Sequence, residues 1–226
     1  MVTATSSAST TTTSLLIFLG VAAVTSFLAI ASEAKKQESK TLHRGVGRKL
    51  SEVEKYVSTS IHVNMPPARR MGITVDQVIL RSDEQEGFVS LSMPIRGNTN
   101  VHGSAFAGSL YSVCVLSAWY TLVIHLRDTW DEELLNQCTV VVQSAEINYK
   151  RPVWNTDDNE FIIATSFLPT KDDAWKAFVK NLEETRKTTC NISGEIKIVG
   201  RKPATTVKAV EFKALLCVML PKLPGE

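Results

Sequence analysis

Close pairs of metal-ligating residues are missing from this sequence. Its four cysteines (Cys114, Cys138, Cys190, Cys217) form no CxxC motif, and its four histidines (His43, His62, His102, His125) include no HxxxH pair. The usual zinc and dithiol-redox frameworks are therefore excluded, and no metal or cofactor is expected. An even cysteine count permits two disulfides arithmetically, but each cysteine stands among apolar residues and reads as a small buried hydrophobe. A charge excess is missing too. The 25 Lys and Arg against 23 Asp and Glu leave +2, too little to drive nonspecific binding to nucleic acid. What is present is ordinary globular material: 226 residues, 44% hydrophobic and 21% charged. That is enough chain for one sizeable domain plus an appendage, held without disulfide staples. No internal repeat is visible.

Charge is absent altogether from Met1 to Ser32. Ser and Thr dominate up to Ser14, and Leu15 to Ala31 then runs LLIFLGVAAVTSFLAIA. At ~1.5 Å per residue this run covers roughly 25 Å, the short end of a membrane crossing. It addresses a membrane or a translocon and stands outside the fold. A retained single-pass anchor is the leading reading. Lys35, Lys36, Lys40, Arg44, Arg48 and Lys49 all follow the run, which puts the remainder of the chain in the cytosol. Ala29-Ile30-Ala31 also fits a signal-peptide cleavage site, and the Ser/Thr richness fits organelle targeting, although no Arg precedes Arg44. The expected organisation is an anchor or targeting segment over 1–32, a polar basic linker over 33–49, and a folded domain over 50–226.

In the folded domain Leu50, Val53, Tyr56, Val57 and Ile61 fall at helical spacing, and Ser51 with Glu54 forms a capping-box signature. Pro66-Pro67 ends that helix. Strand-like alternation follows over 73–81 and 86–95, with turn chemistry at Arg96 to Asn100. Ala105 to Ile124 is then 20 residues without a charge. Its length suits a second membrane span, but Ser109, Tyr111, Ser112, Ser117, Tyr120 and Thr121 make it too polar for one. A helix apolar all round and flanked by strands is one wrapped by protein. Strands are expected over 138–153, 161–168, 186–199 and 206–220, with a weak helical pattern over 172–182. Long strands joined by short turns imply an antiparallel sheet curled around the one long helix.

The junction of the second strand with that helix reads NTNVHGSAFAGSLY from Asn98 to Tyr111. Small residues let a ligand approach the backbone closely. The first amides of a helix lack intrahelical partners and can hold the oxyanion formed when a carbonyl is attacked. Asn98 or Asn100 could orient a water or a substrate amide, and His102 could act as base or donor. The same pattern also suits a well-capped helix start with turn asparagines.

These residues, followed by VLSAW at Val115 to Trp119, resemble the hotdog-fold thioesterase family of the YiiD C-terminal-domain type, whose pattern runs approximately NxNxxGTAFGGSLY and then VLAGW. Ile61 to Val75, Val142 to Pro152 and Val210 to Val218 resemble further segments of it, so the likeness covers roughly 50–220. The resemblance implies an α+β hotdog fold, a curved antiparallel sheet wrapped around one long central helix. It also implies hydrolysis of an acyl thioester of coenzyme A or of an acyl carrier, with the site between subunits of a homodimer or homotetramer. The expected catalytic set is Asn98, Asn100, His102, Gly108 and Ser109, with Gly103, Phe106, Tyr111, Lys150 and Arg151 contacting substrate. Lys150 and Arg151, with Arg69 and Arg70, would meet the phosphates of coenzyme A. Two departures stand out. Ala107 replaces the first glycine of the usual pair. Tyr111 to Leu116 carries no carboxylate where other hotdog thioesterases place one, so the base falls to His102, to a water held by Asn98 or Asn100, or to Glu146. A mid-helix Cys114 is a poor nucleophile. A non-catalytic hotdog that binds acyl chains or carriers is the alternative.

Overall fold

The computed structural model describes residues 51–82, 86–154, 159–169, 172–200 and 207–221. All fall within the compact unit Gly47–Glu226. The anchor and linker expected over 1–49 lie outside the described residues.

The first helix, α1 (Glu52–Asn64), starts where its capping box predicts: Glu54 N donates to Ser51 Oγ and Ser51 N to a Glu54 carboxylate oxygen. Its apolar face buries Val57 and Ile61 completely. Pro66-Pro67 ends α1 and also opens a short helix, α2 (Pro66–Arg70). Proline at the first helical position has no amide to lose, and its φ is already helical. Strands β1 (Thr74–Ile79) and β2 (Phe88–Pro94) follow, then the central helix α3 (Ala107–Thr129) and a short α4 (Glu132–Gln137). The chain continues through β3 (Thr139–Tyr149), β4 (Asn159–Phe167), α5 (Asp172–Thr185), β5 (Lys187–Gly200) and β6 (Val207–Met219).

The six strands form one antiparallel sheet in the order β1-β2-β4-β5-β6-β3. The connections are not all short turns: α5 fills the link from β4 to β5. Helix α3 packs against β2, β3, β4, β5 and β6. Five strands at ~4.8 Å spacing span about 19 Å, nearly twice the width of one helix. A single helix touches all five only if the sheet curls around it.

Two of the polar residues that argued against a membrane span, Ser117 and Thr121, tie α3 to this sheet. Ser117, fully buried, shares its hydroxyl proton between the carbonyls of Val89 (2.9 Å) and Ala164 (3.2 Å) and accepts from Ser166 Oγ (2.8 Å). Thr121 Oγ1 lies 3.2 Å from the Ser166 carbonyl. Among the described residues α3 is the one helix long and apolar enough to cross a membrane. It is the core helix of the sheet. The cysteines are all free, with Cys114, Cys190 and Cys217 buried and Cys138 half-buried.

The two sheet edges differ. On β1, six residues long, the Val78 amide that points away from β2 donates to Glu54 Oε1 of α1 (3.3 Å). On β3, eleven residues long, none is buried, and among the described residues no strand pairs with its outer edge.

Candidate active site at the start of the central helix

The turn before α3 is a tight loop built by its own asparagines. Phe106 N donates to the Asn98 carbonyl and Asn100 N to the Ser104 carbonyl, both at 2.7 Å, and Thr99 bridges Ala105. Gly103 N closes the tip on the Asn100 carbonyl at 3.0 Å, with Gly103 at φ +80°. No atom crowds its missing side chain, so the left-handed backbone alone calls for glycine there.

Both asparagine side-chain amides are engaged. Asn98, buried, donates through Nδ2 to the carbonyls of Met71 and Pro94, each at 2.9 Å. Asn100 Oδ1 accepts from the amides of His102 (2.9 Å) and Ser104 (3.3 Å), while its Nδ2 donates to Ser104 Oγ (2.9 Å). Asn98 therefore anchors the loop to the strand below it, and Asn100 folds the tip. His102 rides exposed on that tip, beyond the Asn100–Ser104 rung, which itself stands about 7 Å, two residues at ~3.4 Å each, from the Asn98–Phe106 rung that starts the helix.

The helix itself opens without a side-chain cap: Phe106 is the N-cap and no side chain bonds the first amides. Ser109 N and Leu110 N both turn back to the Phe106 carbonyl, at 3.0 and 3.1 Å. The amides of Ala107 and Gly108 take no acceptor among the described residues. Two adjacent free N–H groups at the positive end of a 23-residue helix form a ready donor pair for an oxyanion. The first turn carries no acidic side chain to neutralise them. Gly108 matters sterically. A Cβ there would stand 2.5 Å from Cε1 of the Phe106 ring, which lies across it.

Around this donor pair large apolar groups stand open: Phe106 (53% exposed), Tyr111 (41%), Tyr149 (45%) and Trp154 (49%). Sequence reasoning missed Tyr149 and Trp154. Along β3, Ala145 and Ile147 pack on the core, so the two-residue alternation carries Tyr149 to the helix side. There its hydroxyl donates to the Ala107 carbonyl at 3.1 Å. Trp154 bridges Ser104, and the Val153 carbonyl accepts from Ala105 N at 2.7 Å, so the segment after β3 straps the loop from outside. The same alternation sends exposed Glu146 to the face away from α3. Ser109 is buried behind the turn.

Lys150 pairs with Glu211 (2.9 Å), which also meets Lys208; Lys208 and Lys197 both meet Glu195. Three cations thus share two carboxylates, and Lys150 is part of that lattice, whereas Arg151 is exposed. Arg69 donates to the His62 carbonyl (3.3 Å). Cys114 is fully buried beneath the site, and desolvation pushes its thiol far above the usual range, so it is held as an unreactive thiol.

Residues 54–214 match the family described as "Putative thioesterase (yiiD_Cterm)". The chain belongs to that family. Solved structures agree in fold. One is a protein of unknown function from Chlorobaculum tepidum TLS, 21% identical over 75% of this chain and 95% of its own, with a TM-score of 0.58. Another is titled the "putative thioesterase from Shewanella oneidensis", 21% identical over 76% and 100%, with a TM-score of 0.55. A third, from Pseudomonas aeruginosa and titled "Probable Thioesterase", is 16% identical over 74% and 95%, with a TM-score of 0.52. The fold is that of the hotdog thioesterases.

Proposed function

We propose that this chain hydrolyses an acyl thioester carried by coenzyme A or an acyl-carrier protein. The observation that supports this most is the pair of free amides of Ala107 and Gly108 at the uncapped start of α3, rimmed by exposed aromatic side chains. The thioester carbonyl oxygen docks on that pair. A water attacks the carbonyl carbon, the oxyanion rests on the two N–H groups, and the C–S bond breaks to give the carboxylic acid. His102 takes the proton from water and returns it to the leaving thiolate. It is the base candidate left when the asparagine amides are engaged and Glu146 faces outward. Asn98 and Asn100 hold the loop that presents it, and Gly103 gives that loop its turn. Phe106 and Tyr111 meet the acyl group, and Arg151, with Lys150 beside it, meets phosphate.

The absence of any carboxylate from Tyr111 to Leu116 favours a second reading, a module that binds acyl thioesters without cleaving them. Free-thiol release by the full-length protein from a panel of short to long acyl-CoA thioesters decides between them. Release that falls with His102→Ala supports hydrolysis. Tight binding without release supports the module.

Assembly and placement belong to the same proposal. The open β3 edge, with Val141 42% exposed, suits pairing with a second copy, which would also cover the mouth of the site. Sedimentation should show a dimer or tetramer that Val141→Asp shifts toward monomer, because a charge on an edge strand opposes its pairing with another copy. The apolar run before the domain would hold the enzyme at a membrane with the site in the cytosol. Retention of the full chain in membranes after alkaline washing, with the domain protected from external protease, checks that placement.

A further inference from the structure

The carbonyl that Tyr149 engages and the N–H of Gly108 belong to one peptide unit. A helical carbonyl has two lone pairs; the amide four residues on uses one, and the Tyr149 hydroxyl, 3.1 Å away, uses the other. A hydrogen bond donated to an amide oxygen draws electron density through the C–N bond and makes the N–H at its far end a stronger donor. The bond also fixes the tilt of that peptide plane. The Ala107–Gly108 peptide is the first of the helix, its N–H is free, and no side-chain cap restrains it.

We propose that Tyr149 is a positioning residue: its hydroxyl orients and polarises the Gly108 amide, strengthening one of the two donors that hold the oxyanion. The catalytic half of this inference rests on the thioesterase reading above; the effect on the amide does not. The phenol comes from the end of the open edge strand β3, so strand pairing and donor geometry are mechanically joined in this one contact. Partial burial, with Cys114 and Tyr111 nearby, raises the phenol above its ordinary value, which keeps it a protonated donor through the neutral range.

The test compares wild type with Tyr149→Phe, a change that removes one oxygen from a half-exposed ring. Full-length protein labelled with 15N-glycine presents 11 glycines, and the Gly108 signal is the one lost in Gly108→Ala. In Tyr149→Phe the Gly108 amide proton should move upfield while glycines remote from the loop stay in place. With the acyl-CoA that wild type cleaves fastest, kcat should fall about 3–10-fold with KM nearly unchanged, the size expected for one neutral hydrogen bond. A Gly108 amide that does not move, or a loss confined to KM, overturns the proposal. A wild type that releases no thiol sinks the thioesterase reading instead, and the amide shift then decides alone whether Tyr149 polarises Gly108.

Discussion

The two ends of α3 are built on opposite plans. At the carbonyl end, hydroxyl and imidazole groups spaced four residues apart turn back onto the helix: Thr121 on the Ser117 carbonyl (3.0 Å), His125 Nδ1 on the Thr121 carbonyl (2.6 Å) and Thr129 on the His125 carbonyl (2.8 Å). The Trp130 amide closes the last turn on Leu126. The His125 ring lies against Gly87, so close that a Cβ there would stand 1.9 Å from its Nε2. Trp175 meets the ring edge-on at 6.2 Å. At the amide end Ser112 Oγ makes one such bond, to the Gly108 carbonyl (2.8 Å), but the cap contributes no side chain, two amides take no acceptor among the described residues, and the surrounding aromatics are partly open to solvent. A helix held firmly at one end can leave its other end unsatisfied, and an unsatisfied, prepositioned donor pair is what oxyanion stabilisation needs.

Breaking the open end should cost activity and little stability. In Gly108→Val the new side chain collides with the Phe106 ring. That ring is half exposed and swings into the mouth, where it blocks the carbonyl from its donors. Kinetics should show kcat down about 100–1,000-fold, the loss expected when one oxyanion donor fails, with a melting temperature within a few degrees of wild type. Breaking the closed end should do the reverse. Gly87→Ala drives a methyl into buried His125 and should lower stability by about 1–3 kcal/mol in urea unfolding, while kcat per folded molecule is unchanged.

A pH series sharpens the contrast. Burial holds the His125 imidazole below its ordinary 6.5; the Thr121 carbonyl and Asp128 partly offset this, and Arg81 adds to it. The unfolded chain therefore binds the proton at a pH where the folded chain refuses it. Stability contributed by the neutral ring is complete above about pH 6.5 and falls as pH drops from there toward the folded value. His125→Gln should flatten that acid limb relative to wild type when unfolding midpoints are compared across it. The smallest effect is expected at Cys114, between the two ends. Cys114→Ala should leave kcat unchanged and cost about 1 kcal/mol or less of stability, whereas a dead Cys114→Ala beside an active Gly108→Val would replace the amide mechanism with a thiol nucleophile.

Much of this was legible in the chain because it rests on local patterns. The Ser51–Glu54 box starts α1, the uncharged run from Ala105 marks the core helix, and strand-like stretches, alternating clearly at β1 and β2, mark all six strands. What escaped had no local pattern. Helix α4 buries none of its residues, so no apolar period announces it. The run from Ala105 suggested a helix two residues early, because Ala105 bonds instead to Val153, a residue 48 positions away.

Residue chemistry by itself determined that a long apolar helix must be wrapped by strands and that a loop of small residues and asparagines precedes it. Those conclusions follow from side-chain period, backbone freedom and composition. Tertiary structure decided the rest. It set the order β1-β2-β4-β5-β6-β3 that leaves β3 at an edge, and brought the hydroxyl of Tyr149 to the carbonyl of Ala107, 42 positions earlier. It also turned the two asparagines inward and Glu146 outward. Such choices belong to long-range strand pairing, where a one-residue change of register exchanges the faces of a strand, and no short stretch of sequence carries that information.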